Sequence, residues 1–447
     1  MRTLIVGHGG RESALASRMA EHSELYAFAG HLNPSLVRYA DESGGEVQLG
    51  DVCDAAAVAQ YAREREIDVA MVSADEPLAA GVVDELLAQG TRAVGPTRAG
   101  AEIEWNKAFA RELLAEVAPE ATPRLAVVTD LKEMEEAVAS FYDVPIVVKP
   151  SGLTGGKGVK VMGPHLASHA EAAEYARELL GSGKRGESVL IEERIDGAEF
   201  TIQAVSDGRT VVFPPSTYDY PYRFDGDEGP GTGGMGSLTT ERAILPFMTS
   251  AHYEQACSIV ERVIARLAEE GRHFSGVMNS GFFATAEGVK VIEFNARFGD
   301  PEAMNIMSLF EGDWPGAMEQ ICAKRLTPAD VPLREAASLV LYLVAPDYAL
   351  PRTGGEPPQP REFSLDVAEL ERAGCDVFFS SAVQVAGDSY RTVGTSRAVA
   401  LVTTAPTLGE AHERIVRCAG TVEVLEWRRE VGDERYLQGL SRLVGAS

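Results

Sequence analysis

The sequence predicts a mixed fold, in which a doubly wound α/β unit is followed by α+β structure. Strands alternate with helices over residues 1–100, and the strands that follow are patterned as antiparallel pairs. The chain length of 447 residues corresponds to about three domains. Hydrophobic residues make up 45% of the chain and charged residues 24%, so a substantial core can form and wholesale disorder is excluded.

Short apolar strands and helical stretches alternate in the N-terminal part. A glycine-rich turn at residues 7–10 separates the first strand from the first helix. Strands that alternate with helices of about 10 to 15 residues favour a parallel, doubly wound sheet. The predicted strands are residues 3–6, 25–29, 68–72 and 92–94, and the predicted helices are residues 11–22 and 78–89.

The pattern changes at about residue 107. Residues 214–236 are dense in Pro, Gly, Tyr and Asp and predict a long loop, which inside a compact domain is usually functional. The predicted helices here are 107–116, 167–180, 251–270 and 408–418. The predicted strands are 145–149, 159–162, 188–192, 199–205, 281–285, 289–295, 338–344, 376–381 and 398–402.

The net charge of -26 disfavours partners that bind through their phosphates, such as nucleic acid and anionic membrane surfaces. The N-terminus has no charged region followed by a long apolar run, and no apolar stretch reaches about 18 residues. The five cysteines are widely spaced, which is typical of reduced thiols in a cytoplasmic protein. We therefore expect a cytoplasmic protein without a secretory or membrane-spanning segment.

Lysine is scarce and clustered. The chain has eight lysines, and five of them fall within residues 107–160. Chance clustering on a solvated face is the alternative interpretation and the preferred one for Lys132, whereas Lys107, Lys149 and Lys157 indicate a local site for an anion. The five are Lys107, Lys132, Lys149, Lys157 and Lys160.

The turn at residues 7–10 places Gly7, Gly9 and Gly10 between a strand and a helix, where backbone amides can bind a phosphate. A dinucleotide fingerprint would have a third glycine in place of Glu12 and an acidic residue after the second strand, which instead ends near His31. Nicotinamide binding is therefore disfavoured. A structural tight turn and a contact with a substrate phosphate or carboxylate both remain open.

The loop at residues 149–158 is a more specific signal. Its four glycines free the backbone to fold over a polyphosphate, and Lys149 and Lys157 add positive charge. It differs from a Walker A loop because Gly158, rather than Ser or Thr, follows Lys157. The alternative is a flexible surface hairpin.

The segment at residues 291–302 carries the sharpest signal. Alternation along a strand places Glu293, Asn295 and Arg297 on one face. Carboxylate and amide oxygens suit Mg²⁺ that bridges nucleotide phosphates, and a neighbouring arginine can stabilise a phosphoryl group in transfer. The alternative is a surface strand with an ion pair.

Two further segments complete the candidate site. Carboxylates at Glu192, Glu193 and Glu199 could accept hydrogen bonds from ribose hydroxyls, although such glutamates are more often simply solvated. Residues 229–236 form a nearly uncharged, glycine-rich segment that is suited to closing over a small substrate.

Taken together, these motifs resemble the ATP-grasp carboxylate–amine ligases and, within them, the phosphoribosylamine–glycine ligase family. The resemblance covers nearly the whole chain. It is carried by residues 6–12, 106–109, 149–158, 190–193, 233–236 and 293–302.

The resemblance implies a preATP-grasp domain at residues 1–104, an ATP-grasp domain at 105–326 with a nucleotide lobe inserted at about 120–195, and a small α+β domain at 327–447. It implies that ATP, with Mg²⁺ or Mn²⁺, activates a carboxylate as an acyl phosphate that an amine then attacks. The expected partners are small-molecule substrates, namely an amino acid and an amine, with neither nucleic acid nor membrane. The expected assembly is a monomer or homodimer.

The resemblance also implies roles for individual residues. Arg297 and Lys157 would be catalytic, and Glu293 and Asn295 would bind the metal. ATP would contact Lys107, Lys149, Gly155, Gly156, Lys157, Gly158, Glu192, Ile195 and Glu199. The other substrates would contact Gly9, Gly10, Arg11, Glu76, Asp219, Gly233, Gly234, Met235, Arg297 and Asp300.

Several positions depart from the family pattern, and they gather in segments expected to face the two other substrates. They include Ser13, the stretch 73–76, Asp219 with its flanking tyrosines, Gly231 and Gly281. Three functions therefore stay open. They are the family reaction, a diverged ligase for another amino acid or amine such as a dipeptide-forming enzyme, and an inactive nucleotide-binding regulator.

Overall fold

The computed structural model describes residues 1–151, 158–181, 188–351 and 359–445. The N-terminal part is a five-stranded parallel sheet with strand order β3-β2-β1-β4-β5. Helices cover both faces, as a parallel sheet requires, so the predicted doubly wound unit is confirmed. Its elements are β1 (Arg2–Val6), α1 (Gly10–Ala20), β2 (Glu24–Ala29), α2 (Pro34–Ser43), β3 (Val47–Leu49), α3 (Ala55–Glu64), β4 (Val69–Val72), α4 (Asp75–Ala80), α5 (Val82–Ala88), β5 (Arg92–Val94) and α6 (Arg98–Trp105).

One predicted helix of this part is wrong in detail. Residues 78–89 were expected to form one helix, but helices α4 and α5 meet at Gly81, whose φ of 83° is left-handed. Glycine adopts that conformation without steric cost. The chain therefore ends one helix and begins the next at this residue.

A small lobe follows, joined to the N-terminal part by helix α7. Its antiparallel sheet has the order β6-β9-β7-β8 and is covered by two helices. Buried residues such as Val148, Ile191 and Ala176 form a core of their own, separate from the main core. The elements are α7 (Lys107–Val117), β6 (Leu125–Val128), α8 (Leu131–Ser140), β7 (Ile146–Pro150), β8 (Lys160–Val161), α9 (His169–Gly181) and β9 (Val189–Glu193).

The next part is built on long antiparallel strands with the order β11-β10-β16-β17. Helix α10 packs against this sheet, and helices α11 and α12 lie beyond it. The elements are β10 (Ala198–Ser206), β11 (Val211–Val212), β12 (Tyr218–Asp219), β13 (Tyr222–Phe224), β14 (Glu228–Gly231), β15 (Gly236–Thr239), α10 (Ser250–Glu269), β16 (Gly276–Thr285), β17 (Gly288–Asn295), α11 (Glu302–Leu309) and α12 (Trp314–Cys322).

The prediction of an uninterrupted loop over residues 214–236 is wrong. The segment contains the short strands β12, β13 and β14, and β13 pairs with β14 as a hairpin. Gly226 lies in the turn between β13 and β14, whereas Gly229 and Gly231 belong to strand β14 itself.

The C-terminal part completes a sheet with the order β12-β15-β18-β23-β20. Strand β15 pairs with β18, so this sheet contains strands from both sides of the predicted domain boundary at residue 327. A small sheet, β19-β22-β21, lies beside it. The elements are β18 (Ala337–Leu343), β19 (Glu362–Ser364), α13 (Val367–Arg372), β20 (Asp376–Phe379), β21 (Ala382–Ala386), β22 (Ser389–Thr392), β23 (Val399–Ala405), α14 (Leu408–Ala419) and α15 (Glu434–Leu440).

Polar contacts join the two ends of the chain. The hydroxyl of Ser13 donates to the carbonyl of Phe379 over 2.6 Å, and the amide of Asn33 donates to the same carbonyl over 2.8 Å. Ser13 is fully buried. The family departure at this position therefore serves the junction between the N-terminal and C-terminal parts, and the expectation that it faces a substrate is wrong.

None of the helices in the described ranges combines the length and the apolar character that crossing a membrane would take.

Candidate active site

A cavity of about 570 Å³ lies where the N-terminal part, the long-stranded part and the C-terminal part meet. A smaller cavity of about 110 Å³ opens between the small lobe and strand β17. The two cavities share Glu104, Lys107, Ile292 and Glu293, so they form one continuous cleft. Of the predicted site residues, the larger cavity is lined by Arg11, Lys107, Glu199, Asp219, Gly233, Glu293, Asn295, Arg297 and Asp300, and the smaller one by Lys107, Lys149, Glu192 and Glu293.

Strand β17 delivers the predicted metal-binding side chains into this cleft. The amide nitrogen of Asn295 donates to Glu293 over 3.4 Å, and Arg297 donates to the amide oxygen of Asn295 over 3.2 Å. The three side chains therefore form one chain of hydrogen bonds on one face. The alternation of residues along the strand predicts this arrangement for Glu293 and Asn295, and Arg297 extends it from just beyond the end of β17.

Glu104 holds Arg297 in place and was missed at the sequence level. Its carboxylate pairs with the Arg297 guanidinium at 3.0 Å and accepts from the amide of Ala296 over 2.8 Å. Burial raises the pKa of Glu104, whereas the charge of Arg297 opposes that shift. Glu104 lies on helix α6, nearly two hundred positions before Ala296, so no local sequence pattern indicates that it pairs with Arg297.

Glu192 lies in the smaller cavity, but its carboxylate is already engaged. Arg111 donates to both of its oxygens over 2.7 and 3.0 Å, and Lys149 donates over 2.6 Å. Burial alone would raise the pKa of Glu192, but the two cations lower it to about 2. The carboxylate of Glu192 therefore anchors Lys149 in the structure, and the contact of Glu192 with adenosine stays a prediction.

The glycine turn after β1 is filled by its own helix. The amide of Gly9 donates to Glu12 over 2.8 Å, and Arg11 donates to the other oxygen of Glu12 over 2.6 Å. Gly10 is pressed against the hydroxyl of Tyr342. The structural interpretation of the turn is the better one, because the Gly9 amide is occupied and Gly9 and Gly10 pack internally, while Arg11 faces the cavity.

Other predicted substrate residues lie outside the cavity. Glu76 is exposed, and its neighbour Asp75 lines the cavity instead. Successive helical residues point about 100° apart, so Asp75 and Glu76 face different directions. Met235 is fully buried in the core. Gly234, with φ of 99°, packs on Pro301.

Part of the predicted nucleotide site cannot be placed. Gly155, Gly156 and Lys157 lie outside the described residues. Gly158 adopts a φ of 90°, and its carbonyl accepts from Tyr175 over 2.7 Å. Ile195 is described, lies between strands β9 and β10, and lines neither cavity.

The C-terminal part contributes Arg397, which sequence analysis also missed. Its guanidinium pairs with Asp300 at 3.2 Å and donates to the carbonyls of Gly233 and Gly234. Tyr342 donates to the same Asp300 carboxylate over 2.7 Å. The guanidinium of Arg397 thus closes one end of the larger cavity.

The opposite wall carries an excess of carboxylates. Burial raises the pKa of Asp219 well above its ordinary range, and the charges of Glu302 and Glu199 raise it further. Partial desolvation in the cleft, followed by the charge of Glu293, raises the pKa of Glu199 to about 7, although its side chain remains exposed to solvent in the open cavity. Asn279 donates to Glu302 over 3.2 Å, and its own side-chain oxygen has no hydrogen-bond partner among the described residues. This wall is chemically suited to a cationic group.

Comparison with known proteins assigns the family. Residues 1–104 match the family model of the phosphoribosylglycinamide synthetase N domain, and residues 105–303 match that of its ATP-grasp (A) domain. The phosphoribosylamine–glycine ligase of Thermococcus kodakarensis is 38% identical over 449 residues, which cover 100% of this chain and 99% of that protein. The chain belongs to the phosphoribosylglycinamide synthetase family. The ligase of Pyrococcus abyssi is also 38% identical, over 98% of this chain and 96% of its own length.

Solved structures show that the fold is shared beyond this family. The phosphoribosylamine–glycine ligase of Thermotoga maritima superposes with a TM-score of 0.77 at 23% identity, over 96% of this chain and 100% of that one. The biotin carboxylase domain of a Hydrogenobacter thermophilus 2-oxoglutarate carboxylase, solved with MgADP and bicarbonate, gives a TM-score of 0.70 at 17% identity, over 98% and 95%. The predicted ATP-grasp fold class is therefore confirmed.

Proposed function

We propose that this chain is a phosphoribosylamine–glycine ligase, which joins glycine to phosphoribosylamine at the expense of ATP. The observation that carries the proposal is the continuous cleft. Its interlobe end presents Lys107 and Lys149, and its open end presents Glu293, Asn295 and Arg297. Relatives that match this chain along its full length carry the same name, which favours this reaction over a diverged ligase or an inactive regulator.

We place the phosphates of ATP at the interlobe end of the cleft. Lys107 and Lys149 would bind its phosphates, because the lysine ammonium is a compact charge that suits a phosphate oxygen. The loop that includes Gly155, Gly156 and Lys157 would cover the phosphates, as the family resemblance implies. Glu199, on the wall of the larger cavity, would bind the ribose hydroxyls.

The donor set of strand β17 fits Mg²⁺. Among the described residues, no three His, Cys, Asp or Glu side chains are grouped as a complete metal site. Glu293 and Asn295 would hold the ion together with phosphate oxygens, as is usual for Mg²⁺ at nucleotide sites. The carboxylates that face this cleft raise one another's pKa. A divalent cation would reduce the electrostatic repulsion between them. When bound, the ion supplies charge neutralisation between the phosphates.

The reaction needs no nucleophilic side chain. The glycine carboxylate attacks the terminal phosphorus of ATP, which releases ADP and forms an acyl phosphate. The amine of phosphoribosylamine then attacks the acyl carbon, phosphate leaves, and the nitrogen loses a proton to give glycinamide ribonucleotide. Arg297 would stabilise the transferred phosphoryl group, and the chain acts mainly by positioning and charge complementarity.

The substrates other than ATP would occupy the rest of the larger cavity. Asp219, Asn279 and Glu302 present acceptors for the ammonium group of glycine, which has three N–H donors. Arg11, Asp300 and Arg397 would face phosphoribosylamine at the end nearer the C-terminal part.

A steady-state assay of phosphate release tests the proposal. We expect turnover only when ATP, Mg²⁺, glycine and freshly generated phosphoribosylamine are all present, with glycinamide ribonucleotide identified by mass spectrometry. The absence of turnover with this set, together with turnover on another pair of amino acid and amine, would sink the proposal.

We further propose a cytoplasmic enzyme that acts as a monomer or homodimer on small molecules. The net charge of -26 supports the absence of a nucleic-acid partner. Light scattering after size-exclusion chromatography measures the assembly, and a mass above that of a dimer would contradict this proposal.

A further inference from the structure

Arg111 lies on helix α7 at the junction between the small lobe and strand β17. Its side chain is buried, with a residue exposure of 5%. It lines the smaller cavity together with Lys149 and Glu293. The motifs that carry the family resemblance do not include it.

On one side, Arg111 binds the small lobe. Its guanidinium donates to both carboxylate oxygens of Glu192 over 2.7 and 3.0 Å, which is the two-pronged geometry that arginine favours. Glu192 also accepts from Lys149 over 2.6 Å. The position of the Lys149 ammonium therefore depends on a carboxylate that Arg111 holds.

On the other side, Arg111 binds the strand that carries the proposed metal ligands. It donates to the carbonyl of Val291 over 3.0 Å and to that of Ile292 over 2.8 Å. Strand β17 has a bulge here, since Glu293 pairs with Gly281 and Val291 pairs with Phe282, which leaves Ile292 without a partner on β16.

The hydrogen bonds from Arg111 to the carbonyls of Val291 and Ile292 matter because they lie at the bulge. A β-bulge re-aims the side chains that follow it, and the residue that follows this one is Glu293. The guanidinium holds the two carbonyls that immediately precede Glu293, so it pins the bulge in one conformation.

A contribution to folding stability does not by itself explain why the charged side chain of Arg111 is buried. A buried ion pair contributes little to the free energy of folding, because the cost of removing both charges from water is about as large as the gain from their attraction. A planar guanidinium that bonds two lobes at once instead sets a geometry. A lysine at this position keeps the charge but lacks the rigid fork that reaches two carboxylate oxygens and two carbonyls together.

We propose that Arg111 is a positioning residue that fixes Lys149 and Glu293 relative to each other and thereby sets the affinity for Mg²⁺-bound ATP. This inference rests on the proposed use of ATP. Arg111 acts through Glu192 and through the bulge, without contact with the reacting atoms.

The test is calorimetric binding of a non-hydrolysable ATP analogue with Mg²⁺ to the full chain. We expect Arg111→Lys to weaken binding about tenfold, and to raise the Mg²⁺ concentration at half saturation severalfold, while the KM for glycine stays within twofold. Arg262→Lys is the matched control, because Arg262 also joins a carbonyl and a carboxylate, Val117 and Glu120, but at the surface.

A double mutant separates positioning from a general structural role. If Arg111 acts through Lys149, the tenfold effect of Arg111→Lys shrinks to less than threefold in a Lys149→Met background. An effect that stays tenfold in that background shows that Arg111 does not act through Lys149, which overturns the proposal that Arg111 fixes Lys149 relative to Glu293.

Two further outcomes are decisive. Analogue binding by Arg111→Lys within twofold of the parent overturns this inference alone, whereas a parent chain that does not bind the analogue overturns the proposed function. If Arg111→Lys does not fold by circular dichroism, Glu192→Gln replaces it. That variant removes the charge on which both cations converge, and unchanged analogue binding by it also overturns the inference.

Discussion

The guanidinium of Arg397 and the carboxylate of Asp300 form an ion pair of 3.2 Å between two parts of the chain that are far apart in sequence. Arg397 precedes strand β23, and Asp300 follows strand β17. Arg397 also donates to the carbonyl of Gly234 over 2.9 Å, so one side chain fixes both the glycine segment and the end of the predicted metal-binding motif. The C-terminal part is therefore a wall of the candidate active site.

Arg397→Lys tests that conclusion. Lysine cannot reach the carbonyls of Gly233 and Gly234 and the Asp300 carboxylate together. We expect kcat/KM for phosphoribosylamine to fall about 100-fold, with binding of the ATP analogue within twofold. The control is Arg391→Lys, since Arg391 forms an exposed pair with Glu362 away from the cavity. Equal kinetics in the two variants would contradict the assignment.

Glu293→Ala tests the proposed metal ligand. Removing the carboxylate leaves Asn295 as the remaining predicted side-chain ligand, so we expect ATP-dependent phosphate release to fall by more than about 100-fold at saturating Mg²⁺. The control is Glu287→Ala, because Glu287 is an exposed acid in the turn before β17. Unchanged rates in Glu293→Ala would refute the assignment.

The raised pKa of Asp219 predicts a pH dependence of stability. Because burial and then the charges of Glu302 and Glu199 raise this pKa, the folded chain holds a proton that the unfolded chain releases. The folded state therefore loses stability as pH rises above the ordinary pKa of an aspartate. Asp219→Asn removes this loss.

We expect the apparent Tm of ligand-free Asp219→Asn to exceed that of the parent by a few degrees at pH 8, and by less at pH 5. Differential scanning fluorimetry at both pH values measures the difference. Asp388→Asn, at an exposed turn between β21 and β22, is expected to show no such trend. A Tm gain for Asp219→Asn that is the same at both pH values would rule out titration as its cause.

Gly10→Ala tests the packing under the glycine turn. A Cβ at Gly10 would meet the hydroxyl of Tyr342, which donates to Asp300 over 2.7 Å. We expect a loss of about 1 to 3 kcal/mol in the free energy of unfolding and a lower kcat. Gly439→Ala is the control, because the Cβ that it adds in helix α15 has no atom within 4 Å and because alanine favours helices. Urea unfolding measures both variants, and equal stabilities would contradict the prediction.

The parts of the site that were predictable from sequence are those set by local geometry. Glu293 and Asn295 share a face because strand residues alternate, and the lysine cluster marked the interlobe end of the cleft. The first feature needs only a few neighbouring residues, and the second is visible as a local excess of a scarce residue type over residues 107–160.

Contacts between distant segments were not predictable in the same way. Glu12 stands where a dinucleotide fingerprint would have a glycine, but in the structure its carboxylate accepts a hydrogen bond from the amide of Gly9 and closes the turn. Glu192 looked like a ribose ligand, but Arg111 and Lys149 bind it. In each case the sequence shows the charge, whereas the partner comes from another element.

The amino-acid order therefore sets the strands, the helices and the motif that places a carboxylate, an amide and an arginine on one face. Packing decides what each buried charge faces. Burying an ionised group is costly unless a partner reaches it, and the partners Glu104, Arg111 and Arg397 reach the cleft only when separate segments come together. Because these buried charges must be paired, acids and arginines that are far apart in sequence meet in one cleft.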